Sequence, residues 1–575
     1  MSYDLVIRNG TIADGSGGSL IDGDVAIGDG KIVQVGGNCN AKGAQEYDAA
    51  GKVVAPGFID PHTHLDANLF WDPDLTPSSS FGVTTIVAAN CGYGLAPIGG
   101  EAAHDYLIRA MSTVEQIPEE AIRQGVPFNW QDLRSYFEEL DRLPVLLNHA
   151  HLIPHVPLRA AVMGVPDAHS REATEDELTA MCALLQEGLE LGGLGFSTDQ
   201  VIGNPGPEGS KLPGQICGEE ELLHFADVLG QGPGPGLFTM ANAALLQGRK
   251  EQAADLSWHE RLARRSGKPV VVGPVMDPHD DPGAAIAFMD SILERRATGM
   301  TVVPQVSTRP FELWTRLDAP GAIVRALPSL VAAVKAGGAD AVRKLAADPQ
   351  ARQQLRKEAE NIPPSPIFSG RWEHIYVRYT MQDGNWSESV GAIAHQQGIA
   401  PTDLLLDTVL ADNFETQIAL QMRNADDAEL GRIVSHPAAM IGASDAGAHV
   451  LSNTDSCYAL WTLQHWVRER RELTLEQAIA KLTWSQAQLL GLTDRGLLHE
   501  RMAADIVVFD PDTVGTTGVR FVDDQPAGGR RLITQATGVA LSVVNGVIAT
   551  RDGRSTGARS GQRLRHCADV VGQYE

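Results

Sequence analysis

The sequence predicts an α/β protein, namely a (β/α)8 barrel of the TIM type with a small β-sandwich built from both chain ends. Two observations predict this fold. Short, β-branched apolar runs alternate with helical patterns through the middle of the chain, and turn-rich strand patterns occupy both ends. A doubly wound open sheet is the alternative, but no Gly-x-Gly-x-x-Gly pattern follows any of the predicted strands.

Both ends of the chain combine short apolar strands with tight-turn residues. Asn-Gly or Asp-Gly pairs occur at residues 9–10, 29–30, 545–546 and 552–553. Such pairs between alternating apolar runs are strong signals of β-hairpins. Residues 1–53 and 491–575 are therefore expected to come together as one β-sandwich.

Eight apolar runs between these ends are predicted to be the barrel strands. They cover residues 52–60, 83–90, 144–149, 194–197, 236–241, 269–276, 301–307 and 439–444. Strands that are buried on both faces read as continuous apolar runs, and helical patterns such as residues 175–191 lie between most of them. We expect the barrel at residues 54–490, with an insertion at about 312–437 that holds further helical runs and the proline-rich residues 363–366.

The composition is that of an ordinary globular protein of 575 residues, with 43% hydrophobic residues and a formal net charge of −26. This negative charge argues against nucleic acids and anionic membrane surfaces as partners. No apolar run reaches the roughly 20 residues of a membrane span, and the N-terminus has no signal-peptide pattern. Six cysteines without a disulfide spacing fit a reducing cytosol, so we expect a cytoplasmic protein. Assembly into a homo-oligomer stays open.

The first predicted strand ends in two histidines, His62 and His64. Residues two apart in a strand point to the same side, so both imidazoles can converge on one ion. Neutral imidazole suits Zn²⁺ and similar divalent metals. A short His-x-His pattern is more often incidental, but the buried strand and the Pro-Gly pair before it favour a metal site here.

Further candidate ligands follow other predicted strands, because the active sites of (β/α)8 barrels lie at the C-terminal strand ends. Cys91 ends the second strand, where its thiolate could bind the same metal. Asp445 follows the eighth strand among small residues, so its carboxylate could come close to a metal-bound water. The alternatives are an inert buried thiol and the N-cap of a helix.

The stretches at residues 56–66, 82–92, 195–198, 436–445 and 504–510 together resemble the amidohydrolase superfamily, and within it the D-aminoacylase (N-acyl-D-amino-acid deacylase) branch. The resemblance spans nearly the whole chain. It implies one or two zinc ions, held by both strand-one histidines, the strand-two cysteine, one histidine from each of strands five and six, and the strand-eight aspartate. His62, His64, Cys91 and Asp445 match that pattern.

Strands five and six carry no histidine, which is a departure from the family pattern. One Zn²⁺ in a reduced site is one interpretation, substitution by other ligands is a second, and loss of the metal is a third. The groups that could substitute as ligands or bind the substrate are His149, His151, Asn242, Asp277, Arg309 and His449.

The function that the resemblance implies is hydrolysis of a C–N amide bond in a small N-acylated D-amino acid. Asp445 would act as general base on the metal-activated water and then as general acid on the leaving amine. Arg309 could bind the substrate carboxylate through its planar guanidinium. Alternatives are hydrolysis of another amide, a cyclic imide, a carbamate or a lactone, metal-dependent C–C bond cleavage, and an inactive binding protein on the same scaffold.

Overall fold

The computed structural model of the chain describes residues 3–201, 206–296, 299–363, 368, 370–381 and 385–566. Its strands are, in chain order, β1 (Tyr3–Ile12), β2 (Ile21–Gly28), β3 (Lys31–Val35), β4 (Gly43–Asp48), β5 (Val53–Pro56), β6 (Phe58–Asp60), β7 (Val83–Ala88), β8 (Asn148–His151), β9 (Ile153–Pro154), β10 (Gly195–Gln200), β11 (Leu237–Asn242), β12 (Val270–Gly273), β13 (Val302–Val306), β14 (Phe311–Thr315), β15 (Ile375–Tyr379), β16 (Gln417–Arg423), β17 (Met440–Ile441), β18 (Ile506–Phe509), β19 (Gly515–Gln525), β20 (Gly529–Thr537), β21 (Val539–Val544), β22 (Val547–Arg551) and β23 (Arg554–Ser555).

The α-helices are α1 (Asn68–Trp71), α2 (Glu101–Val114), α3 (Glu119–Gly125), α4 (Leu133–Leu140), α5 (His155–Met163), α6 (Val165–Ala168), α7 (Glu175–Glu190), α8 (Glu219–Gln231), α9 (Arg249–Ser266), α10 (Ala284–Arg296), α11 (Ala322–Ala326), α12 (Pro328–Ala347), α13 (Pro349–Glu360), α14 (Val390–Gln397), α15 (Pro401–Ala411), α16 (Asp427–Ser435), α17 (Tyr458–Trp461), α18 (Leu475–Leu482) and α19 (Trp484–Leu489). A π-helical stretch, Thr462–Glu469, continues α17. Along the described part of the chain, no helix has the length and apolar character needed to cross a bilayer.

The two ends of the chain share one nine-stranded sheet, in the order β23-β22-β21-β18-β5-β1-β2-β3, with β4 paired to β1. The link between the two ends is the antiparallel pairing of β5 with β18. Strand β1 is buried on both faces, because Leu5 and Ile7 join one apolar cluster whereas Val6 joins another with Cys39. Both turn-rich ends therefore contribute to one sheet, which extends to Pro56.

Parallel strands in the middle of the chain form two sheets, β6-β7-β8 and β9-β10-β11-β12-β13-β17. Strands β8 and β9 are separated by Leu152, whose backbone N–H donates to the carbonyl of Ala88 at 3.1 Å. Thr63 and Ala446 form a parallel bridge that connects the end of the first strand to the end of the last. Each of the eight predicted runs overlaps one of these strands, although the third strand begins four residues later than predicted.

Alternation of side chains along these strands separates an inner from an outer apolar layer. Ile59, Val87 and Leu237 belong to the inner cluster, together with Leu490, Leu492 and Leu564 from the later part of the chain. Their strand neighbours Phe58, Ile86 and Phe238 belong to the large cluster that the surrounding helices also join. Strands buried on both faces are typical of parallel α/β sheets.

The predicted insertion has a sheet and an apolar core of its own. Strands β14, β16 and β15 form an antiparallel sheet in that order. Helices α11 to α15 contribute to a separate cluster that includes Ile323, Leu330, Leu405 and Phe414. Helices α12 and α13 correspond to the helical runs expected there. Residues 364–366 of the proline-rich segment and residues 567–575 of the expected C-terminal part lie outside the described residues.

Candidate metal centre

The first, second and eighth predicted strands correspond to β6, β7 and β17. The loops that follow these three strands bring His62, His64, Cys91 and Asp445 together. The Sγ of Cys91 lies 3.3 Å from Nε2 of His62. The Oδ1 of Asp445 lies 3.2 Å from the same nitrogen and 3.8 Å from Nε2 of His64. Ligand atoms of His62, His64 and Cys91 all lie within 4.8 Å of one another. Four potential donor atoms therefore converge on one small volume.

The backbone at this site adopts a conformation that is unusual for residues with a side chain. Ala89, Cys91, Asp445 and His449 have φ angles of 63°, 52°, 48° and 48°, in the left-handed region. Such conformations cost about 1–3 kcal/mol each and persist where the surrounding structure imposes them. The loops after β7 and β17 thus adopt a strained backbone conformation. In that conformation, the Cys91 thiol and the Asp445 carboxylate contact His62.

Both histidines direct their Nδ1 atoms away from this volume, toward a polar side chain, which lies within hydrogen-bond distance for His62 and beyond it for His64. The Nδ1 of His62 lies 2.8 Å from Oε1 of Gln305, and the Nδ1 of His64 lies 3.6 Å from Oε1 of Glu115. Histidines that bind a metal usually direct their other ring nitrogen to a carboxylate or carbonyl group, which fixes the ring orientation. Here this arrangement leaves both Nε2 atoms facing the thiol and the Asp445 carboxylate.

Neither Gln305 nor Glu115 was among the candidates that the sequence suggested. A signal for Gln305 exists, since it is a polar residue within the buried run 302–306. Glu115 gives no local signal, because it follows α2, far in sequence from any strand end. Its position is nevertheless unusual, since a carboxylate at the C-terminal end of a helix is disfavoured by the helix dipole.

On the side that faces the centre, β11 and β12 carry no histidine, cysteine or carboxylate; Thr239 is the polar residue there, and its hydroxyl donates to the carbonyl of Phe196 at 3.3 Å. Ala241 and Gly273 share the inward direction of Leu237 and Val271, because residues two or four apart in a strand point to the same side. A Cβ at Gly273 would lie 2.9 Å from the Cβ of Gln305. The side chain of Gln305 therefore occupies the space that a larger residue on strand six would need.

Two of the suggested substitute ligands cap the structures that follow their strands. The Oδ1 of Asn242 accepts a hydrogen bond from the backbone N–H of Ala244 at 2.9 Å. The carboxylate of Asp277 accepts from the N–H groups of Gly283 and Ala285 at 2.9 and 3.2 Å. Both side chains are thus engaged in local backbone capping.

The second His-x-His pair lies on the other face of its strand. Ala150 points to the inner cluster, so His149 and His151 point outward. Their Nδ1 and Nε2 atoms lie 2.9 Å apart, and the ring of His151 packs 6.2 and 6.1 Å from the rings of Tyr136 and Phe137 on α4. The structure therefore separates this pair from the donors inside the strands.

Arg309 contacts the loop after β17, and His449 lies on that loop. The Nη1 of Arg309 donates to the carbonyl of Thr454 at 3.1 Å and lies 3.3 Å from Oδ1 of Asp455. This guanidinium is therefore already paired within the protein. His449 lies at the rim, with 34% of its side chain exposed and its Nε2 4.0 Å from Oε2 of Glu115.

Buried carboxylates surround the centre in excess of positive charge. Burial raises the pKa of Glu115 well above its usual value, and the nearby carboxylates of Asp445, Asp199 and Asp66 raise it further. Burial likewise raises the pKa of the Cys91 thiol, and the charges of Glu115, Asp445 and Asp199 add to this effect. A divalent cation would relieve this repulsion and favour the thiolate.

The donor set fits a divalent metal such as Zn²⁺. It combines two imidazoles, a thiol and a carboxylate, which are the ligand types of zinc sites. Burial would raise the pKa of Asp445, but its hydrogen bond to His62 and the neighbouring imidazoles outweigh burial and hold that pKa below its usual range. Burial lowers the pKa of His64 to about 3, so this imidazole is neutral and able to donate a lone pair.

A second cluster of metal-ligand types, His155, Cys217 and Glu221, is satisfied internally. The two nitrogens of His155 lie 2.7 Å from Oε1 of Glu221 and 2.9 Å from the hydroxyl of Thr198. The other oxygen of Glu221 pairs with the buried guanidinium of Arg159. Because Arg159 supplies the positive charge, this cluster has no electrostatic need for a cation.

Comparison with known proteins gives a family match along most of the chain. Residues 45–549 match the model of the amidohydrolase family. An N-acyl-D-aspartate deacylase of Alcaligenes xylosoxydans xylosoxydans is 29% identical over 579 residues, which cover 98% of this chain and 95% of that protein.

Two solved structures are similar over nearly the full length. A D-aminoacylase, described with a binuclear metal centre, has 25% identity and a TM-score of 0.66, and the match covers 98% of this chain and 100% of that one. An N-acyl-D-glutamate deacylase from Bordetella bronchiseptica, in complex with zinc and a phosphonate inhibitor, has 26% identity, a TM-score of 0.64 and the same coverage. The α/β fold described above therefore matches that of D-aminoacylase.

Proposed function

Since this chain belongs to the amidohydrolase family, we propose that it is a metal-dependent hydrolase that cleaves a C–N amide bond, with N-acyl-D-amino acids as substrates. The observation that carries the proposal is the convergence of Nε2 of His62, Nε2 of His64, Sγ of Cys91 and Oδ1 of Asp445. The deacylases and D-aminoacylases that the chain resembles along their full length support the same substrate class.

The proposed architecture is a closed (β/α)8 barrel at residues 54–490, with the insertion at about 312–437 and a β-sandwich from residues 1–53 and 491–575. The bridge between Thr63 and Ala446 supports closure, because it joins the first strand to the last. The separate apolar clusters of the insertion and of the end-formed sheet support the division into parts.

The proposed cofactor is one Zn²⁺ per chain, held by His62, His64, Cys91 and Asp445. When bound, it would polarise the scissile carbonyl and lower the pKa of a water molecule toward neutrality. A single ion is favoured because the residues that face the centre at the ends of β11 and β12 are Ala241 and Gly273, whose side chains cannot bind a second ion.

The proton transfers are assigned to Asp445. Its Oδ1 accepts a proton from the attacking water as the new C–O bond forms, and it then donates that proton to the amine nitrogen as the C–N bond breaks. The contact between Asp445 and His62 favours the ionised carboxylate that this role needs at the start. Gln305 and Glu115 act by orienting the two imidazoles.

The test measures metal content and hydrolysis of matched N-acyl-D- and N-acyl-L-amino acids. We expect about one zinc per chain and turnover of the D series, with both lost in His62→Ala. His224→Ala is the matched control, because His224 is an exposed histidine on α8. A protein that holds no metal and stays inactive after metals are supplied would instead be a binding protein on this scaffold.

A further inference from the structure

A cleft of about 380 Å³ opens between the insertion and the rim of the candidate metal centre. From the insertion, its apolar wall residues are Leu313, Trp314, Ala322, Ala326, Ile362, Pro363 and Phe368, and Thr315, Gly321 and Arg325 line it as well. From the other side, the wall is Gln116. The two sides of the cleft therefore belong to different parts of the chain.

Gln116 and its neighbours relate the wall of the cleft to the residues around the centre. Gln116 follows Glu115, whose carboxylate contacts His64. Its Oε1 accepts a hydrogen bond from the hydroxyl of Ser452 at 3.0 Å, and the N–H of Ser452 donates to the carbonyl of His449 at 2.8 Å. The loop that carries Asp445 and His449 therefore contacts Gln116 in the wall of the cleft.

The walls of the cleft combine apolar side chains with the polar side chains of Thr315, Arg325 and Gln116. Leu313, Ala322, Ala326, Ile362 and Phe368 present aliphatic or aromatic carbon, and the indole N–H of Trp314 is already paired with Glu312 at 3.1 Å. Its volume lies in the range of about 300–1,000 Å³ that is typical of small-molecule sites. Such a volume is far larger than an acetyl group requires.

We propose that this cleft binds the acyl group of the substrate, so that the enzyme prefers long-chain or aromatic N-acyl groups to N-acetyl. The proposal rests on the proposed function, because it assigns a second part of the same substrate. Burial of apolar surface makes each added methylene worth about a fourfold gain in affinity.

The first experiment measures kcat/KM for N-acetyl, N-butanoyl, N-hexanoyl and N-octanoyl derivatives of D-alanine, D-aspartate and D-phenylalanine. For the wild type we expect a rise of about fourfold per methylene on the best of these amino acids. Ala326→Trp, which fills the cleft, should flatten the series. Met381→Ala is the control, since Met381 is an exposed apolar residue of the insertion outside the cleft and its loss should leave the series unchanged.

A flat series in the wild type, or an unchanged slope in Ala326→Trp, would overturn the proposal. A second experiment separates this failure from failure of the proposed function. Calorimetry on the zinc-loaded wild type and on Ala326→Trp compares binding of the N-octanoyl and N-acetyl compounds without requiring turnover. Binding of the octanoyl compounds at least tenfold tighter, lost in Ala326→Trp, would support the cleft even if no amide is cleaved.

Discussion

Gln305 holds the Nδ1 atom of His62 with its side-chain Oε1, at a distance of 2.8 Å. This contact depends on Gly273 at the end of β12, because a Cβ there would lie 2.9 Å from both the Cβ and the carbonyl oxygen of Gln305. A residue without a side chain on one strand thus permits the orientation of a candidate ligand on another.

Replacement of Gln305 by leucine should weaken metal binding about 10–100-fold, because His62 loses the group that fixes its ring. Competition with a chromophoric chelator measures the affinity. Gln305→Glu should retain most of it, since a carboxylate oxygen can replace the amide oxygen. Gln354→Leu, at an exposed position on α13, is the control. Equal affinities for Gln305→Leu and the wild type would remove this role.

A methyl group at Gly273 should disturb the same contact indirectly. We expect Gly273→Ala to lower the free energy of unfolding by about 1–3 kcal/mol, as overpacking of a buried site does. It should also weaken zinc binding, because Gln305 must move. Chemical denaturation with and without zinc measures both effects. Full metal affinity in this variant would show that Gln305 has room to adjust.

Substitution of Glu115 by glutamine should have opposite effects on the metal-free and metal-loaded protein. Without metal it removes one buried carboxylate from a group that repels, so the unfolding temperature in chelator should rise. With zinc, the weaker interaction with His64 should lower metal affinity and thus the stabilisation that zinc provides. Thermal unfolding in chelator and in excess zinc gives both values, and a fall in both would contradict the electrostatic argument.

Asp445→Asn should separate chemistry from metal binding. The amide keeps an oxygen near both imidazoles but cannot accept the proton, so we expect kcat to fall by about 10²–10⁴-fold while most of the zinc remains. His62→Ala should lose the zinc as well. Zinc content by atomic spectroscopy and kcat on the best N-acyl-D-amino acid are the two measurements. Activity that survives in Asp445→Asn would assign the proton transfers elsewhere.

Glu221→Gln should destabilise the protein without changing its zinc content. The substitution leaves the guanidinium of Arg159 buried without its counter-charge, which typically costs about 3–5 kcal/mol. Denaturant unfolding measures the cost, and zinc analysis of the same sample provides the internal control. Loss of zinc together with an unchanged stability would instead make His155, Cys217 and Glu221 a metal site.

The periodicity of apolar residues predicts the strands of this fold, and the positions of polar residues at strand ends predict the candidate ligands. The His62, His64, Cys91 and Asp445 side chains could be proposed together, because the C-terminal ends of parallel strands meet at one edge. The third strand shows what periodicity alone does not determine. It begins at Asn148, four residues later than predicted. The alternation of side chains along it places Ala150 inside, so His149 points outward.

Glu115 could not be predicted, for a different physical reason. It follows α2, in the long connection between β7 and β8. The tertiary fold brings its carboxylate near His64, and no pattern in the neighbouring residues predicts this contact. Arg309 illustrates the converse. Its residue type and its position after β13 suggest a contact with the substrate. In the folded chain its guanidinium instead contacts Thr454 and Asp455.

The pairing of β5 with β18 has a consequence for how the protein is made. Val53 lies opposite Phe509, so the partner of an early strand is translated roughly 450 residues later. At about 5–20 residues per second, the nascent chain carries an unpaired, apolar strand edge for about 20 to 90 seconds. Premature termination anywhere before residue 506 would leave that edge exposed permanently, which makes truncated translation products prone to aggregate.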